Sequence, residues 1–194
     1  EIGACDWSSD VCSSDLPMMR FTAALAAFAL SSCGPPPGEA RGPALIAVAG
    51  DTGVEPAPDS LYARYGVEGR LTGLDAEALA AFEIQAMSGD FPAGAPARRF
   101  EGPRLSALLA AAGEERAGAR LTALDGYQVE LEPERIAAFE PILAIRADGA
   151  PLAVGGLGPA ILVWPRLDDP RLAGTNDDDW IWGVFAVEPV SGEG

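Results

Sequence analysis

Along residues 44–190, apolar positions recur in short blocks that switch between strand-like runs and helical spacing. Ala44–Ala49 is an unbroken apolar run closed by Gly50-Asp51, which predicts a strand. Asp51–Tyr65, with two prolines, predicts a loop, and Val67–Leu71 predicts a strand able to pair with the first. Thr72 and Asp75 have the spacing of a capping box opening a helix through Phe82, with Leu71, Leu74, Ala78, Leu79 and Phe82 on one face. Ser88–Pro96 is polar and rich in Gly and Pro, so a loop is expected. Pro103 followed by Leu105, Leu108, Leu109 and Ala112, then Gly113, predicts a helix with proline at its first position and glycine at its end.

Further along, Arg120–Leu124 and Tyr127–Leu131 flank Asp125-Gly126, the signature of a tight hairpin. Glu132-Pro133 starts a helical turn through Phe139. Ile142–Arg146 predicts a strand ending at a second turn, Asp148-Gly149. Ala160–Trp164 has the composition of a buried strand, and Trp180–Val187 predicts a last strand with Trp180 and Trp182 on one face. No repeat is present and nothing demands βαβ crossovers. The predicted class is α+β: a strand-rich mixed sheet with short helices and mostly antiparallel pairing.

The N-terminal part obeys different rules. Asp6-Trp7-Ser8-Ser9-Asp10-Val11-Cys12-Ser13-Ser14-Asp15-Leu16 resembles the translation of a sequencing-adapter oligonucleotide, so residues 1–17 read as non-native; the other reading is a genuine polar extension. Met18-Met19-Arg20, the apolar Phe21–Leu30 and Ser31-Ser32-Cys33 have the parts of an export signal over residues 18–33, too short to span a bilayer. Leu30-Ser31-Ser32-Cys33 resembles a bacterial lipobox, which makes Cys33 the expected lipidation site; an ordinary secretory signal with an incidental Cys33 is the alternative. Residues 34–43 then read as a stiff Pro/Gly tether, 44–190 as the domain and 191–194 as a tail. The expected location is the periplasm, anchored to the membrane through Cys33.

Composition narrows the chemistry. The chain of 194 residues has no His, and all 13 of its cations are Arg. Ser-His, Cys-His and Ser-Lys nucleophile pairs, Schiff-base lysines and His-ligated metals are therefore excluded from this chain. Against 29 Asp and Glu the formal charge is −16, which excludes a nucleic-acid partner by lack of a basic footprint. The three cysteines, Cys5, Cys12 and Cys33, all precede the domain.

An ordered set of short motifs carries a resemblance. Phe100-Glu101-Gly102-Pro103-Arg104-Leu105 is followed by Leu108-Leu109, Ala112-Gly113, Ala123-Leu124-Asp125-Gly126-Tyr127 and Val129. Leu143-Ala144, Asp148-Gly149-Ala150-Pro151-Leu152, the run Gly158-Pro159-Ala160-Ile161-Leu162-Val163-Trp164-Pro165, and Asp179-Trp180-Ile181-Trp182 complete it. In order and spacing, this stretch resembles the oxidoreductase molybdopterin-binding domain family, that of sulfite oxidase. The resemblance implies a strand-rich fold holding a molybdopterin whose metal is ligated by one cysteine upstream of Phe100. Ile84–Arg99 contains no Cys.

The resemblance also implies a phosphate-binding set of cations: a His before the Gly-Pro pair, an Arg after it and a Lys before the late Trp. Here those stretches read Gly155-Gly156-Leu157-Gly158, Ala160-Ile161 and Asp177-Asp178-Asp179. A like-charge pair at 4 Å costs about 4 kcal/mol at an effective dielectric of about 20, so carboxylates there oppose a phosphate. The expectation is a degenerate member without a metal ligand, acting as a periplasmic module that binds a small ligand or a protein. The alternative is a molybdopterin-dependent oxidoreductase with an atypical metal site.

Individual residues are open to two readings each. Arg98, Arg99 and Arg166 would form an anion site if they converged on one cleft. Adjacent arginines before a strand also serve as surface charges. Tyr127 resembles the family's Gly-Tyr pair, with a phenol expected to make a structural hydrogen bond. Asp177-Asp178-Asp179 with Asp168-Asp169 reads as a solvated acidic loop rather than a Ca²⁺ site, since the spacing matches no EF-hand. Gly155-Gly156-Leu157-Gly158 reads as a turn rather than an anion cradle, and Trp164, Trp180 and Trp182 as core rather than a pocket lining or a protein-binding surface.

Overall fold

A computed structural model describes residues 43–190. The adapter-like segment, the export signal, Cys33, nearly all of the tether and the tail lie outside the described residues. The domain begins with β1 (Ile46–Gly50), a short α1 (Leu61–Arg64), β2 (Arg70–Leu74), α2 (Ala76–Ala80), β3 (Ile84–Gly89) and β4 (Arg98–Pro103). There follow α3 (Leu105–Ala111), the hairpin β5 (Gly118–Ala123) and β6 (Gln128–Leu131), and α4 (Pro133–Phe139). The last part holds β7 (Ile142–Ala144), β8 (Arg146–Ala147), β9 (Ala150–Pro151), β10 (Ile161–Val163) and β11 (Val184–Val190). The class is mixed α+β, strand-rich with short helices. No described helix is long and apolar enough to cross a membrane.

The strands form a five-stranded sheet in the order β2-β1-β11-β5-β6, a four-stranded sheet β3-β4-β8-β9, and a pair β10-β7. Pairing is antiparallel except between β1 and β11, the strands at the two ends of the domain. Burial explains the unbroken apolar run in β1. Ile46 and Val48 enter the main core with Leu121 and Val187, while Ala47 and Ala49 face a second cluster with Val67, Leu71 and Phe185. A strand covered on both faces needs no polar alternation. A register shift between Val184 and Ala186 lets β11 serve both clusters, and Phe185 packs on Tyr62 and Tyr65 at ring distances of 5.0 and 6.2 Å.

Several expectations are corrected by local chemistry. The loop before Tyr65 contains α1, because the Ser60 hydroxyl accepts the Ala63 N–H. Thr72 lies in β2, and the helix cap is Asp75, whose carboxylate accepts the Ala78 N–H at 2.8 Å. Leu71 therefore belongs to the second cluster, apart from Leu79. The paired stretch Ile84–Gly89 extends into the expected loop; its side chains are largely uncovered, so it carries no hydrophobic pattern and owes its strand form to pairing with β4. Pro103 ends β4 instead of opening α3. The two Asp-Gly hairpins occur as expected, with Asp148 and Gly149 both at positive φ, as a type I′ turn requires.

The Phe-Glu-Gly motif has a packing role. Phe100 is fully buried, and at Gly102 a Cβ would stand 2.1 Å from the Leu143 carbonyl oxygen. Only glycine lets β4 approach the β7 backbone this closely. Gly102→Ala is accordingly expected to destabilise the domain by about 1–3 kcal/mol, since the obstacle is backbone; a chemical-denaturation midpoint at or above wild type would contradict this.

One buried acid opposes folding. Glu188 on β11 is 4 % exposed; one oxygen accepts the Glu68 N–H at 2.9 Å, and the other has no hydrogen-bond partner. Burial raises its carboxyl above the ordinary range; the Glu68 amide and Arg120 act the other way, and Glu68 and Glu130 add to the rise. An acid raised in the folded state contributes stability at low pH that is lost as pH rises through its folded pKa. The domain should lose stability as pH rises from the ordinary carboxylate range through the raised pKa of Glu188, and Glu188→Gln should flatten that slope and melt higher at neutral pH. Thermal melts across this range provide the check.

Candidate functional site

Arg166, just after β10, is buried, with its side chain 5 % exposed. Its Nε donates to Asp90 Oδ1 at 2.9 Å and Nη2 to the Asp90 carbonyl at 2.9 Å. Its Nη1 reaches Asp177 Oδ1 at 2.8 Å and the carbonyls of Thr175 and Asn176. The guanidinium lies 4.6 Å from the Trp180 ring centroid. A planar fork can satisfy this many acceptors at once, which a lysine ammonium cannot. Burial alone would raise Asp90, but the Gly94 N–H and Arg166 outweigh it and hold the carboxyl below its usual range.

The latch joins two loops. Asp177 also accepts the Ala93 N–H at 2.8 Å, so the segment after β3 and the segment before Trp180 are pinned together. Phe91 stacks on Trp180 at 5.6 Å and tilts against Trp182 at 5.4 Å. Gly89 makes room for this: a Cβ there would meet the Trp180 ring at 2.9 Å. The Gly155–Gly158 stretch joins the same neighbourhood, since the Gly183 N–H donates to the Leu157 carbonyl. Its own Gly156 and Gly158 N–H groups both go to the Ala153 carbonyl, which makes it a turn with those donors already spent.

Beside the latch opens a cleft of about 350 Å³, lined by Tyr127, Trp180 and Trp182 together with Asp125, Asp177 and Asp178. The β5–β6 turn supplies Asp125 and Tyr127, and the Asp125 carboxylate fixes the turn by accepting the Tyr127 N–H at 3.0 Å. The Tyr127 hydroxyl donates to the Asp178 carbonyl at 3.3 Å, tying hairpin to acidic loop. Trp180 is buried, whereas Trp182 is 46 % and Tyr127 51 % exposed, so these two rings present surface to solvent. The expectation that both tryptophans are core thus holds for Trp180 alone.

The anticipated cations are placed apart in function. Arg98 pairs with Asp148 at 2.7 Å and lies over Phe100, while Arg99 pairs with Glu101 at 3.0 Å. As neighbours on one strand they project to opposite faces, and neither lines the cleft. Arg166 stands behind it, committed to two aspartates. Tyr127 is in the cleft wall. The acidic tripeptide is not simply solvated: Asp177 holds Arg166 and Asp179 holds Arg135, whose guanidinium lies 4.5 Å from the Trp164 ring. Asp169 likewise pairs with Arg171. Sequence reasoning missed Asp90 and Phe91 as site residues and favoured core over pocket for Trp182. Asp90 and Phe91 sit in a Gly/Pro loop without periodicity, and Trp182 could not be told from core by alternation alone.

No family model matches the chain, and no curated protein matches it significantly. Among the described residues no group of three or more His, Cys, Asp or Glu is placed to hold a metal ion. The residues present do not fit a molybdopterin ligated in the usual way: the domain has no thiol, and the cleft wall carries Asp125, Asp177 and Asp178 without an arginine among its lining side chains.

Removing one partner of a buried charge network leaves the others uncompensated, so Arg166→Ala should cost about 3–5 kcal/mol in denaturant unfolding, with Arg166→Lys recovering only part. Because the Asp90 carboxyl is lowered in the folded state, its stabilisation is present above the unfolded-state pKa and lost as pH falls through the folded one, below about pH 4. Asp90→Asn should shrink that acid limb.

Proposed function

We propose that this chain is an exported binding module on a sulfite-oxidase-like molybdopterin-binding scaffold, tethered through Cys33, which takes a small ligand or a protein side chain in the Tyr127–Trp182 cleft without metal ligation. The observation that carries this reading is the cleft itself: two exposed aromatic rings beside three aspartates, with the nearest buried arginine already committed to Asp90 and Asp177. Support for the scaffold comes from convergence. The stretches that correspond by resemblance to the family's cofactor-binding segments, Ile84–Arg99, Gly155–Gly158 and Asp177–Asp179, are neighbours in space although far apart in sequence: Asp177 accepts the Ala93 N–H, and Phe91 packs on Trp182, next to Gly183, whose N–H donates to Leu157. A cofactor phosphate entering this wall would meet carboxylates, and like charges at short range in a partly desolvated cleft repel by several kcal/mol. Function is therefore assigned from the cleft and not from the scaffold's usual chemistry.

The experiment is expression of the full chain in a host that makes molybdopterin, followed by molybdenum and pterin analysis of the purified protein. Neither should be present in stoichiometric amount. One molybdenum per chain would overturn the proposal in favour of an oxidoreductase with an atypical metal site.

A further inference from the structure

Four arginines among the described residues share one arrangement: the guanidinium lies over an aromatic ring while an aspartate bonds at its edge. Arg166 lies over Trp180 with Asp177, Arg135 over Trp164 with Asp179, Arg171 over Phe139 with Asp169, and Arg98 over Phe100 with Asp148. Tyr127 and Trp182 line the cleft together with Asp125 and Asp178, so rings and carboxylates meet in one place again. Here, among the described residues, no arginine lies over either ring, and neither aspartate forms an ion pair. Asp125 accepts only the Tyr127 N–H, and Asp178 is held by the Asn176 side-chain amide.

We infer that the Tyr127–Trp182 cleft binds an organic cation of the quaternary-ammonium class, a deepening of the proposal that this cleft is the ligand site. Three properties select that chemistry. The exposed ring faces attract a diffuse positive charge through their quadrupoles, most strongly when water is displaced. Asp125 and Asp178 supply negative charge that no ion pair among the described residues offsets, and Asp177 shares the single charge of Arg166 with Asp90. A small inorganic cation is disfavoured, since the carboxylates are not gathered closely enough to ligate one. A methylated ammonium has no N–H donors to satisfy and can rest its methyl groups on Trp182 and Tyr127 while its charge faces the aspartates.

The test titrates the full chain with choline and with tetramethylammonium, following tryptophan fluorescence. The uncharged choline isostere 3,3-dimethylbutan-1-ol, maltose and inorganic phosphate serve as comparison ligands. Choline should bind saturably and at least about tenfold more tightly than its isostere, with an affinity that falls as salt is raised. The Asp125→Asn/Asp178→Asn double variant, in which both side chains can still accept their hydrogen bonds, should lose most of that preference. Trp182→Ala should weaken choline binding by about fivefold or more, and Trp182→Phe should restore part of it. Equal affinity for choline and the isostere, or a preference unchanged in the double variant, would overturn the inference. A saturable response to maltose or phosphate with none to choline would reject the cation class yet retain the cleft as a binding site. Silence toward every ligand would reject both.

Discussion

The Arg166 network is the interaction on which the arrangement of the site depends. Neither loop it joins has regular secondary structure to fix it, and the ladders of the two larger sheets end before they reach Asp90 or Asp177. A single guanidinium satisfies two carboxylates and three main-chain carbonyls, and its flat face covers the Trp180 ring. Burying a charge is costly unless it is both paired and fully hydrogen-bonded, and this one is both. Remove it, and Trp180 loses one contact face while the carboxylates of both loops lose their common partner. The position of the cleft floor follows from this one residue.

The same economy governs the other cations. A strongly acidic chain with arginine as its sole cation could have shown basic patches, yet Arg98, Arg135, Arg166 and Arg171 each lie over a ring of their own fold and pair with an aspartate, and Arg166 among them is buried. Arginine suits this use because its planar head stacks and bonds at its edge simultaneously. The consequence is an acidic, aromatic cleft surface beside the buried Arg166 network. Such a surface discriminates by charge: it repels phosphate-bearing ligands and favours diffuse cations.

Hydrophobic pattern and turn chemistry made much of the fold legible in the sequence. The Asp125-Gly126 and Asp148-Gly149 hairpins, the Leu105/Leu108/Leu109 stripe, α4 after Pro133 and the buried run near Ile161 all follow local rules, and all occur. The misses share a cause. Ile84–Gly89 is a strand because β4 lies beside it, and α1 exists because Ser60 caps four residues in a stretch that otherwise signals a loop. Thr72 and Asp75 both had the right type for a cap, and strand pairing with β1 decided between them. Of the candidate site, Tyr127 was readable from its place after a hairpin glycine, whereas Asp90 and Phe91 carried no signal.

The amino-acid sequence alone sets the alphabet of the chemistry: no histidine, no lysine and no thiol within residues 44–190, hence no nucleophile activated by His or Lys and no thiolate metal ligand from the domain. It also determined where the chain turns, because glycine, proline and Asp-Gly pairs act locally. Which charges cancel was decided only in three dimensions. Arg98, Arg99 and Arg166 look alike as letters, but one lies over Phe100, one pairs along its own strand and one is buried behind the cleft. Trp180 and Trp182 alternate as if on one face of a strand, but β11 begins only at Val184, and Trp180 alone is covered because Gly89, Phe91 and Arg166 arrive from elsewhere in the chain to cover it. Ion pairing and burial depend on distances between segments remote in sequence, and those distances exist only once the fold has formed.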